Sequence, residues 1–239
     1  ILESSWSYNG PALAGQANIA GASTSITYDA LWRPVTTTTS ADGFVFVDET
    51  AYDGYYGRVK GVRYPSGEMV KLSYNDRGYA AGEANPLGAE QVDVPYRTVL
   101  SMNARGQVTE ERFGNDVVGT YEYFASTGGI KSLLAMHGST VVQSLAYAYD
   151  DAFANLTEQQ NLTQSAVESF AYDNLQRLTR SVRTWGPTSQ TVNYAFDALG
   201  NVTLKDDYAA SYMYGAAGKQ NSANAGPHAV SAYARVAAA

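Results

Sequence analysis

Val192-Asn193-Tyr194-Ala195-Phe196-Asp197-Ala198-Leu199-Gly200-Asn201-Val202-Thr203 prescribes a β-hairpin from its own residues. Val192, Tyr194 and Phe196 alternate with polar or small residues. A period of two is that of a strand with one buried face, and β-branched and aromatic residues favour that state. Asp197 opens a turn, because its carboxylate can accept a hydrogen bond from the backbone two residues on. Gly200 takes the left-handed conformation that closes a short loop with a bulge. Val202-Thr203 then restarts the alternation in a returning strand.

The unit recurs along the chain. Its copies are Tyr28-Asp29, Tyr52-Asp53, Tyr74-Asn75 with Gly78, Met102-Asn103 with Gly106, Tyr149-Asp150, Tyr172-Asp173, Phe196-Asp197 with Gly200, and a decayed Tyr214-Gly215. The spacings are 24, 22, 28, 47, 23, 24 and 18 residues, and the gap of 47 has room for a degenerate copy near Tyr121-Glu122-Tyr123. Recurrence at such a period marks a repeat architecture in which each unit buries its face against its neighbours. The aromatic and acidic residues of the copies are therefore read as a structural signature. Trp32 and Gln176 stand where Gly is expected. Side chains are costly at positive φ, so a distorted turn or another loop type is predicted there. Tyr52 to Arg58 and Tyr149 to Asn155 carry one extra residue, which predicts a longer loop or a shifted bulge.

A length of 239 residues suits one all-β domain of about 200–250 residues. Forty-five per cent apolar residues, with 19 Tyr, 7 Phe and 3 Trp, are ample for a core. The Tyr excess fits half-buried ladders, where a large apolar ring carries a hydroxyl that needs a partner; that reading is preferred to a sugar-stacking platform. A net charge of −7 without any basic run argues against nucleic acid or an anionic membrane as partner. Zero cysteines exclude disulfides and thiolate metal sites and leave the redox compartment open. No apolar stretch reaches the ~18 residues of a membrane helix. Ile1 is not an initiator and no signal-like segment follows it, so the sequence reads as a piece of something longer.

Residues 1–22, rich in Gly, Ala and Asn, are predicted to be an irregular lead-in over a sheet edge. Hairpin repeats follow over 23–214, and 215–239 reads as a degenerate end apart from a brief alternation at Val230 to Val236. Gly78 to Tyr96, with Asn85-Pro86-Leu87-Gly88 and Pro95, is the main loop-like interruption; Thr127-Gly128-Gly129 is a second. No long helical period with caps occurs. The expectation is one all-β domain over 1–239 without an internal boundary.

Candidate chemistry is sparse. His137 lies in Met136-His137-Gly138-Ser139 and His228 in Gly226-Pro227-His228. Two histidines without carboxylates at a recognisable spacing make no metal site, and no Gly-x-Ser-x-Gly elbow occurs. Acidic pairs stand at Asp48-Glu49, Glu110-Glu111, Asp150-Asp151 and Asp206-Asp207. Adjacent strand residues face opposite ways, so these do not supply the paired carboxylates of a glycosidase. A lyase using a Tyr, with His137 or an Arg as helper, fits the composition as loosely. Asn155-Leu156-Thr157, Asn161-Leu162-Thr163 and Asn201-Val202-Thr203 match a glycosylation acceptor pattern and are read as hairpin residues. No catalytic residue, metal ligand or cofactor is assigned.

The in-register copies resemble the bacterial RHS/YD-repeat family, which shares its signature with the YD shell of animal teneurins. The resemblance runs from Tyr28 to His228. It includes Tyr52-Asp53 through Gly57-Arg58-Val59-Lys60 to Tyr64-Pro65-Ser66-Gly67, and Ala225-Gly226-Pro227-His228-Ala229-Val230. It implies tandem hairpins in a curved or spiralling antiparallel sheet, part of a hollow shell around a toxin domain or other polypeptide cargo. A structural scaffold is therefore expected, with cargo or the remaining shell as partner and a secreted or cell-surface bacterial location. The family's self-cleaving segment, Asp-Pro followed by Gly-Leu, is absent from these residues, so that activity is not carried over. A carbohydrate-binding module on the Tyr-rich face, taking a glycan, and a polysaccharide-degrading enzyme on a solitary RHS-like sheet remain the alternatives. Some sixteen strands exceed the ~10 that a twisted open sheet usually holds before curling. Open edge strands would then favour self-association, or covering of one end by the lead-in.

Overall fold

The computed structural model describes residues 4–18, 21–86, 93–215 and 226–236. Among them, all twenty regular elements are β-strands. The chain falls into two compact units, 1–119 and 120–239, where the sequence showed no boundary. A meander makes such a division natural, since each strand touches only the strands beside it.

The first unit runs β1 (Ser4–Asn9), β2 (Ala12–Asn18), β3 (Ser23–Tyr28), β4 (Pro34–Ala41), β5 (Phe44–Tyr52), β6 (Val59–Arg63), β7 (Met69–Tyr74), β8 (Ala80–Asn85), β9 (Val94–Met102) and β10 (Val108–Phe113). Each pairs antiparallel with the next. Then β11 (Val117–Tyr123) leads into the second unit, which holds β12 (Ile130–His137), β13 (Thr140–Tyr149), β14 (Leu156–Asn161), β15 (Ala166–Tyr172), β16 (Leu178–Trp185), β17 (Thr188–Phe196), β18 (Val202–Lys205), β19 (Ala209–Tyr214) and β20 (Val230–Arg235). From β12 onward these also pair in sequence order and antiparallel.

One expectation about the ends is corrected. The lead-in is not irregular where it is described: Ser4–Asn9 and Ala12–Asn18 form a hairpin, with Tyr8 opposite Leu13 after a bulge. Its signal was Tyr8-Asn9-Gly10, a copy 20 residues ahead of Tyr28, with Gly10 at φ +60°. Small residues hid it, because Ala and Gly alternate without the bulk that marks a buried face. Near the other end, the brief alternation read at Val230 to Val236 is a strand, Val230–Arg235, paired with β19. The interruption predicted over Gly78 to Tyr96 likewise contains β8 and the start of β9; Leu87 and Gly88 lie outside the described residues, as do Ile1 and Ala225.

The apolar surplus does not gather into a thick core. Leu145, Ala166, Val192 and Ala209 are the buried apolar residues among those described. Alternation instead yields half-buried faces: Val70, Leu72 and Tyr74 lie inward while Lys71 and Ser73 are exposed. A single sheet layer gives each side chain neighbours along the sheet and none from a facing layer.

The hairpins also differ in length. Between β4 and β5 the ladder runs to Ala41 opposite Phe44, whereas β6 leaves β5 at Glu49 opposite Arg63. The same step recurs in the second unit, where β14 leaves β13 at Leu145 opposite Asn161.

Candidate functional site

One end of each unit's strands carries the Tyr-Asp loops, and their side chains build the most organised chemistry among the described residues. In the five-residue loops the first N–H bonds the last carbonyl: Asp29 to Arg33 (3.0 Å), Asn75 to Tyr79 (2.9 Å), Asn103 to Gln107 (2.9 Å), Asp173 to Arg177 (2.9 Å) and Asp197 to Asn201 (2.9 Å). The fourth N–H returns to the first carbonyl, and a register shift follows the aromatic residue, as between Thr27 and Tyr28. This is a type I turn closed by a bulge.

Side-chain oxygens complete each loop. Asp29 Oδ1 accepts from the Leu31 and Arg33 N–H groups at 2.8 and 3.0 Å, and Oδ2 from Arg33 Nε at 2.7 Å. Asp173 repeats this with Leu175 and Arg177 at 2.9, 3.0 and 2.7 Å. Asp197 takes the Leu199 and Asn201 N–H groups, both at 2.9 Å, and Asn201 Nδ2 at 2.8 Å. Asn75 and Asn103 take the same two amides without a charge.

The loops with one extra residue keep the plan. Asp53 N–H bonds the Arg58 carbonyl at 2.8 Å and Asp150 N–H the Asn155 carbonyl at 2.9 Å, with Gly57 and Ala154 at φ +70° and +57°. The degenerate copy near Tyr121-Glu122-Tyr123 is a third such loop, Phe124 to Gly129 (2.8 Å), with Phe124 in the Asp position. Thr127-Gly128-Gly129 is its closing half. Phe124 instead sets its ring edge-on to Tyr149, 5.9 Å between centroids.

Trp32 and Gln176 do not distort their turns. They adopt φ +60° and +62°, within the positive-φ region that Gly78, Gly106 and Gly200 occupy at +76° to +86°. Loop length and ladder register impose the conformation, and the side chain accepts the strain.

Neighbouring loops are tied together. Arg33 lies 4.3 Å over the Tyr52 ring, Arg58 4.1 Å over Tyr74 and Arg177 4.8 Å over Phe196. Each arginine thus pairs with its own loop's carboxylate and stacks on the aromatic of the next copy. The tyrosine hydroxyls reach backward across the sheet. Tyr28 donates to Leu13 O at 2.7 Å, Tyr52 to Pro34 O at 2.9 Å, Tyr74 to Val59 O at 2.7 Å, Tyr172 to Leu156 O at 2.9 Å and Tyr214 to Val202 O at 2.8 Å. His228 joins the last loop, its Nδ1 2.8 Å from Asn201 Oδ1.

These bonds hold the loop carboxylates in the ionised form. The Tyr56 amide, then the Arg58 side chain, bring Asp53 down to about 2 from 3.8. Asp29 is lowered by the Arg33 side chain, Asp150 by the Phe153 amide, Asp173 by the Arg177 amide and Asp197 by Asn201. Burial pushes the Tyr149 and Tyr172 hydroxyls up. A carboxylate lowered this way is a poor proton acceptor at neutral pH, which suits a fastener rather than a general base.

Clefts of about 410 Å³ between the Asn75 and Asn103 loops, and about 530 Å³ between the Asp150 and Asp173 loops, are lined by these same fasteners. The Asp206-Asp207 pair lies in the turn between β18 and β19, and its carboxylates take separate partners: Asp206 accepts from Asn193 at 2.8 and 2.6 Å while Asp207 takes Lys205. His137 ends β12 opposite Thr140, at a hairpin tip. Among the described residues no three potential metal ligands gather. Sequence reasoning missed the loop-closing arginines as linkers; a basic residue ending three of the loops was their signal.

Several loop tips are apolar, while Arg77 and Arg105 hold the corresponding place in the Asn75 and Asn103 loops. Leu31, Tyr55, Phe153, Leu175 and Leu199, one in each of five loops, are 60–90% exposed.

A hairpin-repeat sheet with fastened loops is thus the class of fold. No protein family and no curated relative matches the sequence. Among solved structures, the crystal structure of TcdB2-TccC3-TEV matches with a TM-score of 0.66 at 18% identity, over 84% of this chain and 12% of that one. TcdB2-TccC3-Cdc42 matches at 0.66 and 16%, over 91% and 13%. The Photorhabdus luminescens Tc holotoxin pore matches at 0.57 and 14%, over 85% and 15%. At such identities the likeness is one of fold, and the chain spans only about an eighth of the first two.

Proposed function

We propose that this chain is a stretch of RHS-type shell, a scaffold that encloses or presents a polypeptide. The observation that carries this reading is the fastened loop ladder, in which the Asp, Asn, Arg and Tyr side chains of successive copies are spent on joining one hairpin to the next. Its fold likeness to TcdB2-TccC3 chains supports the same reading. The exposed loop-tip side chains, Leu31 and Tyr55 in the first unit and Phe153, Leu175 and Leu199 in the second, offer apolar contacts to a polypeptide, whether cargo or adjoining shell.

The test uses the purified 239-residue chain. Its size-exclusion peak is assayed for retention of a permanently unfolded polypeptide, reduced and carboxymethylated, and for turnover or binding of a glycan and simple-ester panel. Retention of the polypeptide without turnover is expected, with Leu175→Lys and Leu199→Lys weakening it. Hydrolysis of a glycan or ester by that peak would replace the scaffold reading with an enzymatic one.

A further inference from the structure

Three tyrosines meet on β19 and β20 of the second unit. Tyr212 stands opposite Tyr233 in the ladder, with ring centroids 6.3 Å apart. Tyr208, one residue before β19, lies closer to Tyr233, at 5.5 Å, and the two planes are only 25° apart, so these rings stack. Their hydroxyls hydrogen-bond each other, and the Arg235 guanidinium donates to both. Stacked rings whose hydroxyls meet also bring their ortho carbons, the ring atoms beside the C–O bond, next to one another.

The backbone holds this pair in place. Tyr208 N–H bonds the Lys205 carbonyl at 2.9 Å, and the Tyr208 carbonyl accepts from Val236 N–H at 3.2 Å. Ala209 beside it is fully buried and opposes Arg235 across the ladder. Both rings are nevertheless open to water, at 45 and 44% exposure. A reagent in solution can therefore reach two phenols that the fold has already set side by side.

We infer that Tyr208 and Tyr233 form an oxidative cross-linking site, joined through their ortho carbons when a one-electron oxidant of the haem peroxidase class acts on the chain. Each phenol gives up one electron and its hydroxyl proton, and the two phenoxyl radicals couple carbon to carbon. The ortho hydrogens then move to the oxygens as both rings regain aromaticity. The net loss of two electrons and two protons converts one hydrogen peroxide into two waters. The hydroxyl of Tyr208, with the Arg235 charge, brings the Tyr233 hydroxyl below its ordinary value, while the Tyr233 hydroxyl pushes that of Tyr208 up. Tyr233 is thus the phenol that parts with its proton more readily as its electron leaves. The new bond ties β20 to the start of β19 in a chain that has no cysteine to do so, and a cross-link of this kind restricts the unfolded chain as a disulfide does.

The test treats the folded chain with a haem peroxidase and hydrogen peroxide, and reads dityrosine fluorescence, intact mass and the joined peptides. The expected product keeps the mass of one chain, 25.6 kDa, less two hydrogen atoms, with the Tyr208 and Tyr233 peptides linked. Its urea midpoint should lie above that of the untreated chain. Tyr208→Phe and Tyr233→Phe should each lose the fluorescence and the midpoint shift with an unchanged far-UV circular dichroism spectrum. Tyr55→Phe should keep both, although Tyr55 and Tyr56 lie 5.3 Å apart and are more exposed, because their planes cross at 63°. The peptide map of the unaltered chain decides the site independently of any variant. Cross-links chiefly at Tyr55, Tyr56 or Tyr212, products only between chains, or no product from a chain with a native spectrum would overturn the inference.

Discussion

The Asn103–Gln107 and Asp173–Arg177 loops share one backbone path, yet they fill the space beside it in opposite ways. At Gly106 a Cβ would stand 2.7 Å from the Tyr79 ring, because the side chain of the preceding loop occupies that place. At Gln176 the occupant is the residue's own side chain, which reaches back to Asn155 of the preceding loop. The rest of the ladder follows suit. Arg33 presses on Gly57 and Arg58 on Gly78, at 3.0 and 3.4 Å from where a Cβ would be, whereas Trp32 lies against Gly10 at 3.6 Å. Either partner can supply the joining group at the positive-φ position, provided the other leaves room. The repeat therefore conserves a contact rather than a residue type.

Acid should separate the Asp loops from the neutral Asn75 and Asn103 loops most strongly. A carboxylate whose folded pKa is depressed contributes stability above its ordinary 3.8 and loses it as pH falls through the folded value, about 2 for Asp53. Asp29, Asp53, Asp150, Asp173 and Asp197 all shift this way. Cooperative acid unfolding is expected between about pH 4 and pH 2 by circular dichroism. Amide exchange should show the Asp173 loop opening before the neutral Asn103 loop; simultaneous opening would break the distinction.

Gly106→Ala comes next. It combines about 1–2 kcal/mol for a side chain at positive φ with overpacking against Tyr79, for about 3 kcal/mol in urea unfolding. In a Tyr79→Ala background only the backbone part should remain. Tyr74→Phe removes the bond to Val59 O, which should cost about 1 kcal/mol. Gln176→Gly should change stability least. Relief of about 1 kcal/mol of strain is offset by the lost Asn155 contact, so the gain should emerge only alongside Asn155→Ala.

The loops were legible because their determinants are local. Asp197 and Gly200 act on bonds within five residues, and Val192, Tyr194 and Phe196 declare the strand before them. The extra residue in the Asp53 and Asp150 loops was legible for the same reason. Trp32 and Gln176 misled, since a side chain at positive φ argues for distortion when the loop is read alone; the flanking ladders hold it in place. Tyr8-Asn9 was overlooked because its strands are built of Ala, Gly, Ser and Asn, whose alternation carries little apolar contrast.

The repeat period, the hairpin loops and the all-β class were fixed by the order of residues, because a turn and its flanking alternation need no distant partner. Which arginine lies over which tyrosine was decided only when consecutive hairpins were set side by side. So was the unequal reach of β5 and β6. Both depend on register between strands joined through other turns. That register follows from the sum of bulges and loop lengths along the chain, and no single stretch of sequence records it.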